Sequence, residues 1–243
     1  MPQVLRTECS YDVARMTEES CVARSILDFD QGVYGNSISL ARRDELAEPF
    51  QEHKNNNPFA GALDHCPYFR TLFDSLKAPK ASFRLLRRGP HAAYSFHDDV
   101  DKGPQVIRFQ IPIVTSRQAF LLLAPDDLDI TDFDREHSGF AGDAEGDVWF
   151  DMQSLKDAGA GSLELFYLDP GFLYYFDTNN VHTLINAAET ERITLSIDLV
   201  LNDWLKNWMK SNLTIVVPES PIEETSPGSW KWNNLRYGVI RTG

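Results

Sequence analysis

The chain has 243 residues, 42% of them apolar, with 15 Phe, 8 Tyr, 5 Trp and a formal net charge of -13. That length and aromatic content support one large domain with a sizeable core. The acidic balance argues against nucleic acid or an anionic membrane as partner, because both need a basic surface.

No apolar run reaches the ~18 residues of a membrane-spanning helix. The N-terminal MPQVLRTECSYD has no apolar signal region, and the expectation is a cytoplasmic protein. Cys9, Cys21 and Cys66 share no short metal spacing, and an odd count closes no disulfide framework, so they read as reduced thiols.

Residues 1–80 mix short motifs with helical signals. DELAEPFQEH (44–53) and YFRTLFDSLKA (68–78) predict helices, the second with Phe69, Leu72, Phe73 and Leu76 at helical spacing and Pro79 at its end. NNNPFAG (55–61) between them reads as a loop. From Ala81 the pattern turns to strands: ASFRLLRR (81–88), VIRFQIPIVT (106–115), AFLLLAP (119–125), GSLELFYL (161–168), GFLYYFDT (171–178), HTLINA (182–187) and RITLSIDLVLN (192–202). Turn clusters such as RRGPH, DKGP, DPG and DTNN separate them. Residues 125–161 are acid- and glycine-rich and read as a surface loop or flap, without the spacing of a calcium loop. DWLKNWMKSN (203–212) predicts a helix, and the tail from Pro218 reads as extended, with Trp230 and Trp232 to dock it. Helices first and strands afterwards predict a mainly β fold, with N-terminal helices covering one sheet. The expected single domain comprises a helical cover (1–80), a β core (81–203) and a C-terminal helix and tail (204–243).

Two strands carry the same alternation. Ile107, Phe109, Ile111 and Ile113 share one face, with Arg108 and Gln110 on the other. Ile193, Leu195, Ile197 and Leu199 likewise oppose Arg192, Thr194, Ser196 and Asp198. Arg84 and Arg88 share a face and Arg87 takes the opposite one. Strand pattern alone admits two readings. The polar face meets solvent, or helices cover the apolar face and the polar one lines a cavity for a polar, anionic ligand.

The segment YSFHDDVDKGPQVIR (94–108) holds His97-x-Asp99. In an extended segment residues i and i+2 point the same way, so both reach one ion, while Asp98 points away. His182 opens a later strand after the DTNN turn. Two imidazoles and one carboxylate from separate strands match the facial triad of non-haem Fe(II) oxygenases, which leaves positions open for O2 and a co-substrate. Arg192, ten residues after His182, offers a guanidinium for a carboxylate. His53, His65 and His137 read as surface residues. His91, in RRGPHAAY, is close enough to the motif to line the site.

The ordered set His97-x-Asp99, VIRFQIPIVT, then FDTNNVHTLINAAETERITLSIDLV resembles the aspartyl/asparaginyl β-hydroxylase family of Fe(II)/2-oxoglutarate dioxygenases, which includes the cis-proline hydroxylases. The resemblance covers roughly residues 80–203 and includes Arg108, Asn186, Arg192 and Asp198. It implies a double-stranded β-helix, or jelly-roll, core. It also implies iron on His97, Asp99 and His182. Arg192 would hold the distal carboxylate of 2-oxoglutarate, with Arg108, Ser82, Gln110 and Thr194 around it. Arg84 and His91 are the expected substrate contacts. The implied reaction is hydroxylation of a small molecule, an amino acid or derivative, with release of succinate and CO2. Asp99 favours hydroxylation because related halogenases carry a small residue at this position. A peptide or protein hydroxylase of the same fold, and a jelly-roll binding protein without catalysis, are the alternatives.

Overall fold

Runs of β-branched and aromatic residues form the antiparallel strands that build the sheets of this chain. The structure, a computed structural model, describes residues 4–27, 37–47, 61–90, 92–93, 97–99, 105–123, 138–139, 149–150, 164–186, 188–217, 223–226, 229–232 and 235–238. In chain order the elements are β1 (Val4–Thr7), α1 (Val13–Ile26), β2 (Ser37–Ser39), α2 (Pro67–Ser75), β3 (Lys80–Arg88), β4 (Ala92–Ala93), β5 (Val106–Val114) and β6 (Ala119–Leu123). They continue with β7 (Ser138–Gly139), β8 (Trp149–Phe150), β9 (Glu164–Tyr167), β10 (Tyr174–Phe176), β11 (His182–Asn186), β12 (Arg192–Val200) and α3 (Asp203–Asn212). Last come β13 (Leu213–Val216), β14 (Glu223–Ser226), β15 (Ser229–Trp232) and β16 (Leu235–Gly238).

A seven-stranded sheet has the order β13-β1-β10-β5-β12-β3-β2, and a four-stranded sheet has the order β4-β11-β6-β9. Every pairing in both sheets is antiparallel. The fold is therefore mainly β, with helices confined to one side of the larger sheet.

The helices bury the apolar face of that sheet. Phe83, Leu85, Phe109, Ile111, Leu195 and Ile197 share one core cluster with Met16, Ala23, Phe69, Leu72, Phe73 and Leu205. Each large side chain removed from water there stabilises the fold by about 1.5–3 kcal/mol. Phe73 of α2 meets Phe83 of β3 edge-to-face at 5.2 Å, and Trp208 of α3 meets Phe109 of β5 at 6.0 Å. A second cluster joins Val4, Tyr174 and Phe176 of the larger sheet to Leu121, Leu123, Phe166 and Leu184 of the smaller one. The two sheets thus face each other, closed by apolar packing near β1 and β10.

Capping explains where two helices begin. Asn202 Oδ1 accepts from Leu205 N at 2.8 Å, the ordinary N-cap bond. The first turn of α2 has no local side-chain cap. Instead buried Glu19 of α1 reaches across, Oε1 accepting from Tyr68 N at 2.7 Å and Oε2 from Phe69 N at 2.8 Å. A carboxylate there satisfies two orphan donors and complements the helix dipole.

The turn before β10 pins the start of α1 to the sheet. Gly171 has φ +83°, and a Cβ there would lie 2.7 Å from Val13 Cγ2 and 2.9 Å from the Tyr11 carbonyl oxygen. Its own carbonyl accepts from Tyr11 N at 2.7 Å, and its N–H donates to the Pro112 carbonyl at 2.8 Å.

Several sequence expectations need correction. Of the helix expected over 44–53 only residues 44–47 are described, and there the chain makes a 3-10 turn, Arg43–Glu45. By Ala47 the chain is bonded to the Lys80 carbonyl beside β3, because pairing with the sheet outweighs a short helix without a sealed apolar face. The second helix ends at Ser75, before Pro79. Helix α1 was not expected at all. The described parts of the tail form an antiparallel sheet, β14-β15-β16, and β7 pairs with β8 inside the expected long loop. The rest of 125–161, and His53, His91 and His137, lie outside the described residues.

Candidate active site between two sheets

The polar face of the larger sheet is buried. Gln110, Arg192, Thr194, Ser196 and Asp198 are each 5% exposed or less. That decides between the two readings of the alternation: helices cover the apolar face, and the polar residues line the space between the sheets.

Register arranges these residues in rows across β3, β12 and β5. Asp198 sits opposite Ser82 on one side and Arg108 on the other. Ser196 sits between Arg84 and Gln110, and Thr194 between Leu86 and Pro112. Arg192 faces Arg88.

The first row is satisfied within the protein. Arg108 donates from Nε to Asp198 Oδ1 at 2.7 Å and from Nη2 to Asp198 Oδ2 at 2.8 Å. Ser82 Oγ donates to the same Oδ2 at 2.9 Å. The remaining arginine nitrogen, Nη1, holds Asp99 Oδ2 at 2.7 Å. Burial alone would lower the Arg108 pKa; Asp198, by charge and hydrogen bonding, and then Asp99 override it and hold it above the ordinary value.

The opposite end of β12 is unsatisfied. Nε and Nη2 of Arg192 have no hydrogen-bond partner among the described residues, although the side chain is buried. Burial pushes its pKa down to about 10, against a smaller upward pull from Tyr167 of β9. A second buried arginine, Arg88, faces it across the strand pair, and like charges so placed repel. The hydroxyls of Thr194 and Ser196 and Oε1 of Gln110 also lack partners among the described residues. Buried polar groups left unsatisfied in this way are expensive, and a polar ligand would relieve them.

His97 and His182 come together by backbone pairing. Each donates its N–H to the other's carbonyl, at 3.1 Å and 2.9 Å, and their ring centroids are 4.4 Å apart. Asp99 N donates to the Thr178 carbonyl at 2.8 Å, which fixes the His-x-Asp segment against the DTNN turn. Asp98 is exposed while His97 and Asp99 are half-buried, the face assignment expected from strand periodicity. His182 Nδ1 lies 2.8 Å from the Asn180 carbonyl. With Nδ1 donating there, Nε2 keeps its lone pair for a metal. Burial first, then the neighbouring His97, push the His182 pKa down to about 3, so the ring is neutral at neutral pH.

Among the described residues no three His, Cys, Asp or Glu side chains form a ready-made metal cluster. The Asp99 carboxylate is engaged with Arg108 rather than gathered with both imidazoles. The residue types nevertheless fit an Fe(II) ion: a histidine pair of which burial holds His182 neutral, a carboxylate two residues along, and a guanidinium on the facing sheet with two nitrogens unpartnered among the described residues, suited to an anionic co-substrate.

His97, Asp99, His182, Arg108, Asp198 and Ser82 belong to one end of the space between the sheets. Arg192, Thr194, Ser196 and Gln110 continue along it. Arg84 points inward, with its Nε sealed from solvent and without a partner among the described residues. His65 is exposed, as expected for a surface residue. Asn186 ties the chain turn: its Nδ2 donates to the Gly89 and Thr190 carbonyls at 2.7 and 2.8 Å. Sequence reasoning did not single out Asp198 as the partner of Arg108 or Ser196 as a site residue, although both share the face of Arg192 at period two.

No family model matches the chain, and no curated protein matches it. Similar solved structures include AviO1 from Streptomyces viridochromogenes, at 14% identity over 83% of this chain and 91% of that one, TM-score 0.44. The α-ketoglutarate dependent carbocyclase SnoK from nogalamycin biosynthesis shows 12% identity over 92% and 90%, TM-score 0.44. The epimerase SnoN from the same biosynthesis shows 12% identity over 92% of each chain, TM-score 0.46. With TM-scores below 0.5, these likenesses carry no argument about activity.

Proposed function

We propose that the chain is an Fe(II)- and 2-oxoglutarate-dependent dioxygenase of the aspartyl/asparaginyl β-hydroxylase kind, with a double-stranded β-helix core. It hydroxylates a C–H bond of a small molecule, an amino acid or derivative. One oxygen atom of O2 enters the product alcohol and the other enters succinate, with loss of CO2. The observation that supports this most directly is Arg192: a buried guanidinium with two orphaned nitrogens, on the face that looks toward the sheet carrying His182.

His97, Asp99 and His182 would hold the metal, and Arg192 with Thr194 the distal carboxylate of 2-oxoglutarate. When bound, the iron and co-substrate supply the oxidising power; the protein supplies orientation and a dry site. The Asn180 carbonyl keeps the proton of His182 on Nδ1. Arg108, anchored by Asp198, would hold the Asp99 carboxylate in place through a 2.7 Å charge-assisted hydrogen bond.

The test is an anaerobic titration. Fe(II) followed by 2-oxoglutarate should produce a weak visible charge-transfer band, and admitting O2 with a metabolite pool should release succinate and a product heavier by one oxygen. No band and no succinate with any pool would leave a non-catalytic binding protein.

A further inference from the structure

The rows along β12 differ in one respect. In the Ser82–Asp198–Arg108 row every polar group named above finds its partner inside the protein. In the adjacent Arg84–Ser196–Gln110 row, Arg84 Nε, Ser196 Oγ and Gln110 Oε1 all lack one among the described residues. Those three residues are cross-strand neighbours on β3, β12 and β5, so their side chains emerge side by side on the interior face. One is a charged donor, one a hydroxyl that donates or accepts, and one an acceptor.

Among the described residues no carboxylate is left to neutralise Arg84. The two carboxylates close enough to influence it, Asp198 and Asp99, are both held by Arg108. Its pKa stays lowered by burial first and then by the Arg108 charge. Nor is Arg84 a duplicate of Arg192. Their rows are four residues apart along β12, ~13 Å at a strand rise of ~3.3 Å per residue. Arg84 feels Arg108, Asp198 and Asp99, whereas Arg192 feels Tyr167. Two separated cations call for two anions.

We infer that the Arg84–Ser196–Gln110 row is a second anion site, distinct from Arg192, which binds the carboxylate of the substrate. Arg84 and Ser196 donate to that carboxylate. Gln110 Oε1 accepts from an N–H or O–H on the atom next to it. The substrate class is therefore a small acid carrying a hydrogen-bond donor beside its carboxylate. This assignment rests on the dioxygenase reading for the occupant of Arg192, and it makes Arg84 the residue that excludes neutral substrates.

The experiment is a calorimetric and thermal-shift comparison on the full chain. First, 2-oxoglutarate is titrated into the Mn(II)-loaded wild type; failure here sinks the dioxygenase reading by itself. Next, a library of small hydroxy and amino acids, each with its primary amide, is titrated with 2-oxoglutarate present, or into the protein alone if 2-oxoglutarate does not bind. At least one acid should bind about ten-fold or more tightly than its amide, the worth of one charge-assisted contact. Arg84→Gln should erase that preference while changing the 2-oxoglutarate affinity less than about two-fold. Arg84→Lys should restore part of it, which controls for misfolding of the first variant. The inference is overturned if no acid in the library binds, if acids and amides bind alike, if Arg84→Gln keeps the preference, or if it weakens 2-oxoglutarate instead.

Discussion

Arg108 and Asp198 lie on adjacent strands and meet through two parallel hydrogen bonds of 2.7 and 2.8 Å, while the third arm of the same guanidinium holds Asp99. Asp198 thus reaches Asp99, the carboxylate proposed to hold the metal, at one remove. The fork geometry matters, because only a planar guanidinium can serve two carboxylates in fixed directions.

Removing Asp198 should therefore cost both stability and metal affinity. Asp198→Ala leaves Arg108 buried with a single carboxylate, a change that destabilises by about 3–5 kcal/mol when a buried pair is broken. Urea unfolding measures this, and a loss below about 1 kcal/mol would show that the pair is solvated. Asp198→Asn retains shape and one acceptor and should lose less.

His97→Ala and His182→Ala should each abolish binding of Fe(II), or of Co(II) as its spectroscopic stand-in, and with it all turnover. Asp99→Gly should weaken the metal and remove most hydroxylation. The wild type in chloride buffer should give products heavier by oxygen and never by chlorine. If Asp98→Ala is inactive and Asp99→Ala is not, the carboxylate assignment is off by one residue.

Arg192→Ala should raise the 2-oxoglutarate dissociation constant by roughly 30- to several-thousand-fold, equivalent to about 2–5 kcal/mol for a lost bidentate charged contact in a dry site. Arg192→Lys should recover part of this. Without co-substrate the direction reverses. Arg192→Met removes an orphaned buried cation, so the ligand-free variant should melt at a higher temperature than the wild type. A lower melting temperature would mean that Arg192 has a partner inside the protein.

The metal-free protein should lose stability on acidification. His182 has its pKa depressed to about 3 by burial and by His97, against an ordinary value of 6.5. Between those values the unfolded chain binds a proton that the folded chain refuses, so stability is full above pH 6.5 and falls as pH drops toward 3. The slope contributed by this one group approaches ~1.4 kcal/mol per pH unit. Unfolding of the wild type and His182→Gln between pH 7 and pH 5 isolates it; parallel curves would refute the assignment.

Gly171→Ala should destabilise by at least about 1 kcal/mol, the cost of placing a Cβ in the left-handed region. The further clash with Val13 Cγ2 and the Tyr11 carbonyl loosens the attachment of α1. Circular dichroism melts read the effect, and an unchanged melting temperature would contradict the turn geometry.

Much of the architecture is local chemistry and was legible as such. The period-two runs at β5 and β12, the aromatic strands β9 and β10, and the amphipathic α2 and α3 form where their residue patterns place them. The exposure of Asp98 between half-buried His97 and Asp99 follows the alternation of an extended segment in the same way. Helix α1 was hidden because its buried positions are Met16, Glu19, Ser20 and Ala23, of which two are polar. Glu19 is buried there to cap a helix nearly fifty residues later, a reason that no local pattern displays.

Period two shows which residues share a face, but not what that face meets. Only the packing of α1, α2 and α3 on Phe83, Phe109 and Leu195 turned Arg192, Ser196 and Asp198 inward rather than toward water. Register was equally beyond reach of the linear chain. Placing Asp198 between Ser82 and Arg108, and Ser196 between Arg84 and Gln110, requires three strands from distant segments to align to the residue. Side-chain type and spacing determined which groups could act. Which of them neutralise each other, and which remain for a ligand, was decided by cross-strand pairing in a space closed to solvent, where an unmatched charge cannot turn to water.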